Sequence, residues 1–600
     1  MIPIATELRL MRKKTFIALL ALLLMFPAGC ILRENNSAFP LSNQEKSKLY
    51  INYPHKAEEK IMYGNFPHFP TNYSVVANIT SVISNHHIKV RWDFIIDNRS
   101  GNRTTIYIKS PNFGRLSINL QGKQINISKL SRYSLPQYYA QIILLNVTYP
   151  KDMLIHGTLE YETSTNSSFT QYILGDFVKF SPIYYPENYP SIIVFSTEWL
   201  LPISPAGVLI NSNSLYNPIP EIYNLTLIVP SNYTLCSDYY LPRVEHKEKK
   251  LVVIFKNVKP NPTNYRFIHV YNQSFFRRAE IAIEGAKLIV YTPKKSYLDF
   301  QELANATAQI FRHHAECLEV TPYREINVFF DPDIIFGEGF EYYGKGIAIV
   351  GLRMHSGFSG EKKTLATTAH ELAHLWFGSH AHLGRLDESL ATFMQLGINS
   401  VTGENLEEKE ERAVEDSKRY KRTLAQVYQE GILNPQTRLG VEYYKGAFVF
   451  RSLQFVLGNE TFFNGLRGLL KECHGRECNL TDVQNVFEKV SEQDLDWFFE
   501  EWFYTARIPD YEVKNLSLER KNGKYLLSFE IADKSNFTMP LEVEVKTPTK
   551  SFIKKVWVNR TTRVEFELKD KPTKIILDPN EWMVNENKEK DVNGIRIIVG

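Results

Sequence analysis

The 600-residue chain predicts a multidomain α+β protein. Three observations carry that expectation. Short alternating or β-branched runs separated by Asn, Gly and Pro turns fill residues 50–278, a helical pattern dominates 279–510, and alternating strands return over 511–600. The expected order is therefore an N-terminal antiparallel β domain, a mostly helical central domain and a C-terminal β-sandwich. At 44% hydrophobic residues, a chain of this length can bury more than one core.

In chain order, residues 1–30 read as a leader. Arg12, Lys13 and Lys14 precede an apolar run from Phe16 to Phe26, and Ala28-Gly29 stand before Cys30. The run is too short for a comfortable membrane span. It reads as a secretory signal with a lipobox, in which Cys30 would be lipidated and would anchor the mature chain to a membrane. Plain secretion or an uncleaved anchor would leave the same basic and apolar pattern. Residues 31–49 read as a linker, and the polar stretch Gln44 to Lys60 as the tether that holds the folded part away from the membrane.

The β domain of 50–278 includes SVVANITSVI, HIKVRWDFII, AQIILLNVTY and KLVVIF. Within it, FSPIYYPENYP at 180–190 is too rich in proline for a central strand and reads as a loop. From Ala279 a few strands and a helix at Tyr297 to Leu318 lead to the central helices. Past Tyr511, runs such as YLLSFEI, LEVEVKT and RVEFEL are sufficient for a sandwich.

Seventeen Asn-x-Ser/Thr sequons and five cysteines agree with an extracytoplasmic, glycosylated cell-surface lipoprotein, of archaeal more than bacterial type. Cys473 and Cys478 are close enough to close a small loop; Cys236 and Cys317 could pair across a longer one, or stay as free thiols. Seventy basic against 66 acidic residues give a net charge of +4 with no long single-sign block, which gives nucleic-acid binding no support. Nothing in the residues fixes an oligomeric state.

The chemistry concentrates in TLATTAHELAHLWFGSHAHLGRLDESLAT, 364–392. Residues four apart on a helix lie about 40° apart around the axis, so His370 and His374 face one side and can grip one cation. Glu371, about 100° round from His370, can hydrogen-bond a water there and is the candidate base. Leu365, Ala366, Ala369, Leu372, Ala373 and Trp376 support the helix, and Gly378 stops it. Catalytic zinc takes three protein ligands and keeps a place for water. Glu388 is the third candidate, on a helix that Asp387 would cap; His380 and His382 in the connecting loop are its rivals.

TTAHELAHLWFG, RLDESLATF, YYKGAFVFRSLQFVLGNETFFNGLRGLL at 443–470 and DLDWFFEEWFYTARIPDY at 494–511 together resemble the zinc aminopeptidases related to aminopeptidase N, a gluzincin family. The resemblance covers about 279–510. It implies a thermolysin-like fold for that domain, one Zn2+ on His370, His374 and Glu388, and Glu371 as general base. It makes Tyr443 the donor to the tetrahedral intermediate, with Tyr444 the rival if the register is off by one. Gly339-Phe340-Glu341-Tyr342 is similar to the family's exopeptidase run, so Glu341 would bind the α-ammonium of a peptide substrate. This sequence departs from the family in a shortened link of 13 residues between His374 and Glu388, in lacking a clear second amine-binding residue in the N-terminal β domain, and in lacking a large helical region after its last strands.

The function expected from the resemblance is removal of N-terminal residues from peptides. The alternatives are a zinc endopeptidase, if Glu341 binds no amine, and a non-catalytic cell-surface binding lipoprotein.

Overall fold

The computed structural model describes Leu49 to Val599 with gaps in that description, the longest at 62–73, 183–192, 197–208, 259–266, 332–338, 352–357 and 430–437. The leader, Cys30 and the linker up to residue 48 lie outside the described residues. The molecule is mixed α/β, with β-sheets at both ends and a helical region around 360–500.

The N-terminal region is built on an eight-stranded sheet in the order 243–247, 250–258, 222–230, 74–84, 87–97, 154–164, 115–120, 123–124. A five-stranded sheet joins 50–52, 103–111, 132–135 and 59–61 around the strand Ala140–Thr148. Period-two alternation turns Val90, Trp92, Phe94 and Ile96 inward, where they share a core with Ile106, Leu145 and Leu225. Gly157 lies opposite Phe94, and a Cβ there would stand 2.3 Å from the Phe94 ring, so only glycine lets that ring lie flat.

Three expectations change here. The domain is not wholly antiparallel, because 222–230 pairs parallel with 74–84 and 59–61 pairs parallel with 132–135; alternation reports faces, not strand direction. The polar tether ends earlier than composition suggests, since Leu49 is fully buried and Tyr50–Asn52 pairs with 146–148. The proline-rich stretch begins as strand, with Phe180 to Pro182 closing the strand Phe177–Pro182; residues 183–190 lie outside the described part.

A separate five-stranded sheet, in the order 276–283, 286–293, 325–331, 347–351, 339–342, backs the helices. Its first strand, Phe276–Ile283, straddles the boundary expected at 278/279. Helix α1, Phe300–Leu318, crosses between the parallel strands 286–293 and 325–331. Asp299 caps it by accepting from the Gln301 and Glu302 amides. The remaining long helices are α2 (Phe358–Ala373), α3 (Leu386–Gly397), α4 (Leu406–Tyr420), α5 (Gly446–Leu457), α6 (Asn459–Glu472) and α7 (Leu480–Ser491), followed by the short α8 (Asp496–Trp502). Among the described residues no helix is long and apolar enough to cross a membrane.

Beyond Tyr511 lie a three-stranded sheet (511–521, 524–533, 561–568) and a five-stranded sheet ordered 551–559, 538–546, 574–577, 595–599, 588–592. They share one continuous apolar core with the central helices, running from Leu288 to Val599. Cys473 and Cys478 form a disulfide. Cys317 is a free thiol on α1 beside His313, which removes its pairing with Cys236.

Candidate active site

Helix α2 buries Leu365, Ala366, Ala369, Leu372 and Ala373, which leaves His370 and His374 on its remaining face at the C-terminal end. The helix is pinned from behind by α1. His314, fully buried, places Nε2 2.9 Å from the Ala369 carbonyl, the residue before His370, and the Trp376 indole donates to the Val320 carbonyl at 2.6 Å. Regular helix ends at Ala373, yet the His374 amide keeps its bond to the His370 carbonyl at 3.3 Å. A tight turn with Gly378 at φ 117° then reverses the chain into α3.

Helix α3 starts two residues earlier than the expected Asp387 cap implies: the position before its first residue is Arg385. Asp387 lies inside the first turn and accepts from the Leu383 amide at 3.1 Å, so it ties the incoming turn to the helix. That placement sets Glu388 toward α2. Glu388 Oε2 lies 3.2 Å from His370 Nε2 and 3.4 Å from His374 Nε2, and the two Nε2 atoms are 3.1 Å apart. His370, His374 and Glu388 are one of two groups of described residues whose donor atoms could hold an ion; the other, Glu488, Asp494 and Asp496, is mostly exposed. His380 and His382 are not in the group: His380 stacks on His474, and His382 pairs with Glu477 through the backbone.

The tautomers test whether a metal fits. His374 Nδ1 faces the Phe377 carbonyl at 3.0 Å, and a carbonyl can only accept, so Nδ1 carries the proton. His370 Nδ1 likewise faces the Gln395 side-chain oxygen at 3.2 Å. Both Nε2 atoms therefore turn toward each other and toward a carboxylate oxygen, an arrangement that a shared positive charge, a proton or a metal ion, relieves. Ligand atoms on a tetrahedron of zinc-length bonds stand about 3.3–3.4 Å apart, close to the spacing seen here. The same carboxylates make the site favour positive charge, whether a proton or a metal ion. Burial alone would lower the His374 pKa, but Glu388, then Glu371 and Asp387, outweigh it and push it up to about 10. The residues fit a zinc ion.

Around the three donors lies a shell that sequence reading missed. The Gln395 amide donates to Glu404 at 2.7 Å, Glu404 pairs with Lys409, and the Lys409 ammonium sits 5.1 Å over the Tyr444 ring. The signal was present: Gln395 is seven residues after Glu388, two turns along the same helix face.

Tyr443 lies in a π-helical stretch, Arg438–Lys445, and its ring stacks on His370 with centroids 5.5 Å apart and planes 12° apart. Tyr444 points instead to Lys409, so of the two tyrosines Tyr443 is the one beside the donor set. The wide turn is locked onto α3. Arg385 makes a bidentate pair with the fully buried Glu442 at 2.8 and 3.2 Å, and the Ser389 hydroxyl donates to the Glu442 carbonyl at 2.6 Å. A Cβ on Gly446 would stand 2.1 Å from Ser389 Oγ, so this approach requires glycine. Lys445, buried and with its pKa lowered to about 8 by burial, donates to the Arg507 carbonyl.

Glu371 is 6% exposed and near enough to His374 for its charge to act there. Glu341 lies on the edge strand Gly339–Tyr342, opposite Ala348, and that strand packs against α2. Its side chain falls outside the described residues.

Residues 348–502 match the family model described as Peptidase family M1 domain, which bears out the resemblance to zinc aminopeptidases. Tricorn protease-interacting factor F2 of Thermoplasma volcanium is 24% identical over 324 residues, 49% of this chain and 39% of that one. Aminopeptidase M1-A of rice, Oryza sativa subsp. japonica, is 24% identical over 334 residues, 50% of this chain and 36% of that one. The crystal structure of Legionella pneumophila aminopeptidase A in complex with aspartic acid superposes with a TM-score of 0.51 at 14% identity, over 87% of this chain and 60% of that one; this likeness is one of fold. The chain thus spans about two-fifths of the length of the curated relatives it matches.

Proposed function

We propose that this chain is a zinc aminopeptidase of peptidase family M1, with His370, His374 and Glu388 holding the ion. The carrying observation is the convergence of two imidazole lone pairs and one carboxylate beneath the Tyr443 ring, inside the matched domain. Zinc, when bound, supplies a Lewis acid that polarises the scissile carbonyl and makes water acidic near neutral pH. The chain's own groups do the rest. Glu371 takes the proton of the attacking water and later delivers it to the departing amine. The Tyr443 phenol, protonated at neutral pH, donates to the oxyanion as it forms. The wide turn of 438–445, clamped by Arg385 and Glu442, keeps that phenol in place.

Glu341, on the strand beside α2, would pair with the α-ammonium and so select the first peptide bond. We also read a thermolysin-like catalytic domain followed by a β-sandwich, and a secreted, glycosylated protein anchored to a membrane through Cys30. The Cys473–Cys478 disulfide and the seventeen sequons support an oxidising compartment.

Digestion of a mixed peptide library by zinc-loaded protein, read by mass spectrometry, tests the function. Ladders trimmed from free amino ends, with N-acetylated peptides spared, are the expected result. Internal cuts in N-acetylated peptides would make it an endopeptidase, and no cutting would leave a binding protein.

A further inference from the structure

The turn that leads from His374, just past α2, to Glu388 on α3 is held from outside by a distant segment, residues 474–477. The turn first folds on itself: the Ser379 amide donates to the His374 carbonyl, Gly378 to Ala381 and Ala381 to Trp376, at 3.1, 2.7 and 2.9 Å. Residues 474–477 then run along its outer edge. Ala381 pairs with His474, His382 pairs with Glu477, and the Cys478 amide donates to the His382 carbonyl at 2.8 Å. His474 adds its Nδ1 to the His380 carbonyl at 3.1 Å and stacks its ring on His380 at 4.2 Å.

Residues 474–477 are the tip between α6 and α7, and the Cys473–Cys478 disulfide closes the base of that tip. Arg476 ties the tip to Glu472 and Asp482, and Asn479 with Asp482 forms a capping box at the start of α7. A tip of four residues closed by a covalent bond has few conformations to lose, so it forms a stiff edge for the turn to pair with. The order passes on: the turn continues from His382 to Leu383, whose amide bonds Asp387, and Asp387 neighbours Glu388.

We propose that the Cys473–Cys478 loop is a positioning element for Glu388, clamping Gly378 to Leu383 so that the carboxylate stays on the two imidazoles and a bound ion is retained. The proposal rests on the metallopeptidase reading for its consequence, and on the turn alone for its mechanism.

Two variants test it, Cys473→Ala/Cys478→Ala and His474→Ala, the second of which keeps the disulfide. Two readouts are taken: the rate at which zinc-loaded protein yields its ion to a chelator, and amide hydrogen exchange over 378–388 in metal-free protein. The double variant is expected to release zinc about tenfold or more faster, the range typical when support around metal ligands is lost. Its 378–388 amides are expected to exchange faster while those of α1 and of 524–533 keep their protection. His474→Ala should shift both in the same direction by less.

Release within about twofold of the unsubstituted chain, with unchanged exchange over 378–388, overturns the proposal even if the melting temperature falls. Should the unsubstituted chain bind no zinc, the peptidase reading fails by itself. The exchange measurement then decides the clamp.

Discussion

Two clusters of buried carboxyls lie in the same continuous core, and they meet the cost of burial in opposite ways. Where α2 meets α3, Glu371, Asp387 and Glu388 surround two imidazoles, and the field they create drives His374 up to about 10. Where α4 and α5 meet the C-terminal sheets, Glu410 and Asp578 are both fully buried. Glu410 accepts from the Asn585 amide at 3.0 Å, and burial nevertheless pushes its pKa up to about 8. Asp578 accepts from the Trp582 and Met583 amides, and burial pushes it up to about 7. Arg451 at that seam bonds the Glu581 and Asn580 carbonyls and lies over the Trp582 ring.

The difference teaches what makes buried acid useful. At the seam, backbone donors satisfy the acid oxygens while burial raises their pKa values, so taking up a proton eases the cost of burying them between helices and sheets. At the site, two imidazoles and a carboxylate converge on one point, so the acids there favour a positive charge that a metal ion could supply.

Removing the proposed base, Glu371, would break the contrast most sharply. Glu371→Gln should lower kcat by about 10²- to 10⁴-fold with zinc content by mass spectrometry unchanged; substantial remaining hydrolysis would take the base role from Glu371. Tyr443→Phe should lower kcat about a hundredfold with little change in KM, while Tyr444→Phe, under Lys409, should stay within a few-fold. Equal losses from both would remove the assignment. Gln395→Ala should weaken zinc binding about 10- to 100-fold in a chelator competition, because the Nδ1 partner of His370 is lost.

A pH titration of stability sharpens the other half of the comparison. The folded pKa of Glu410, about 8, lies above its unfolded value of about 4.3. Its contribution to stability is therefore complete below about pH 4.3 and is lost as pH rises through about 8, at up to about 1.4 kcal/mol per pH unit. Glu410→Gln cannot ionise, so its urea midpoint should fall less between pH 6 and pH 9 than that of the unsubstituted chain. Parallel curves would mean that Glu410 is already ionised in the fold.

Much of the site was legible in the residues. HELAH on a helix of small apolar residues leaves one face for two imidazoles, and a second helix beginning near Glu388 supplies a carboxylate; these relations span a few residues each. Gln395 was readable by the same rule, two turns from Glu388. The choice of Tyr443 over Tyr444 was not readable from spacing alone, because a π-helical turn breaks the 3.6 period that spacing relies on. Likewise Asp387 has the composition of a cap, but it lies inside the first turn, where it accepts from the Leu383 amide, and Arg385 stands at the cap position with its side chain paired to Glu442.

By itself the sequence determined what is local: alternation, helix faces, the spacing of the metal-gripping pair and the closeness of Cys473 to Cys478. Tertiary structure alone decided what depends on packing between distant segments. The two parallel strand pairs in the N-terminal sheets, the single core joining helices to C-terminal strands, the Arg385–Glu442 lock and the disulfide-closed tip beside the 378–383 turn all belong there. The physical reason is that periodicity fixes which face a side chain takes within its own element, whereas partners tens of residues away are selected only when whole faces compete for burial.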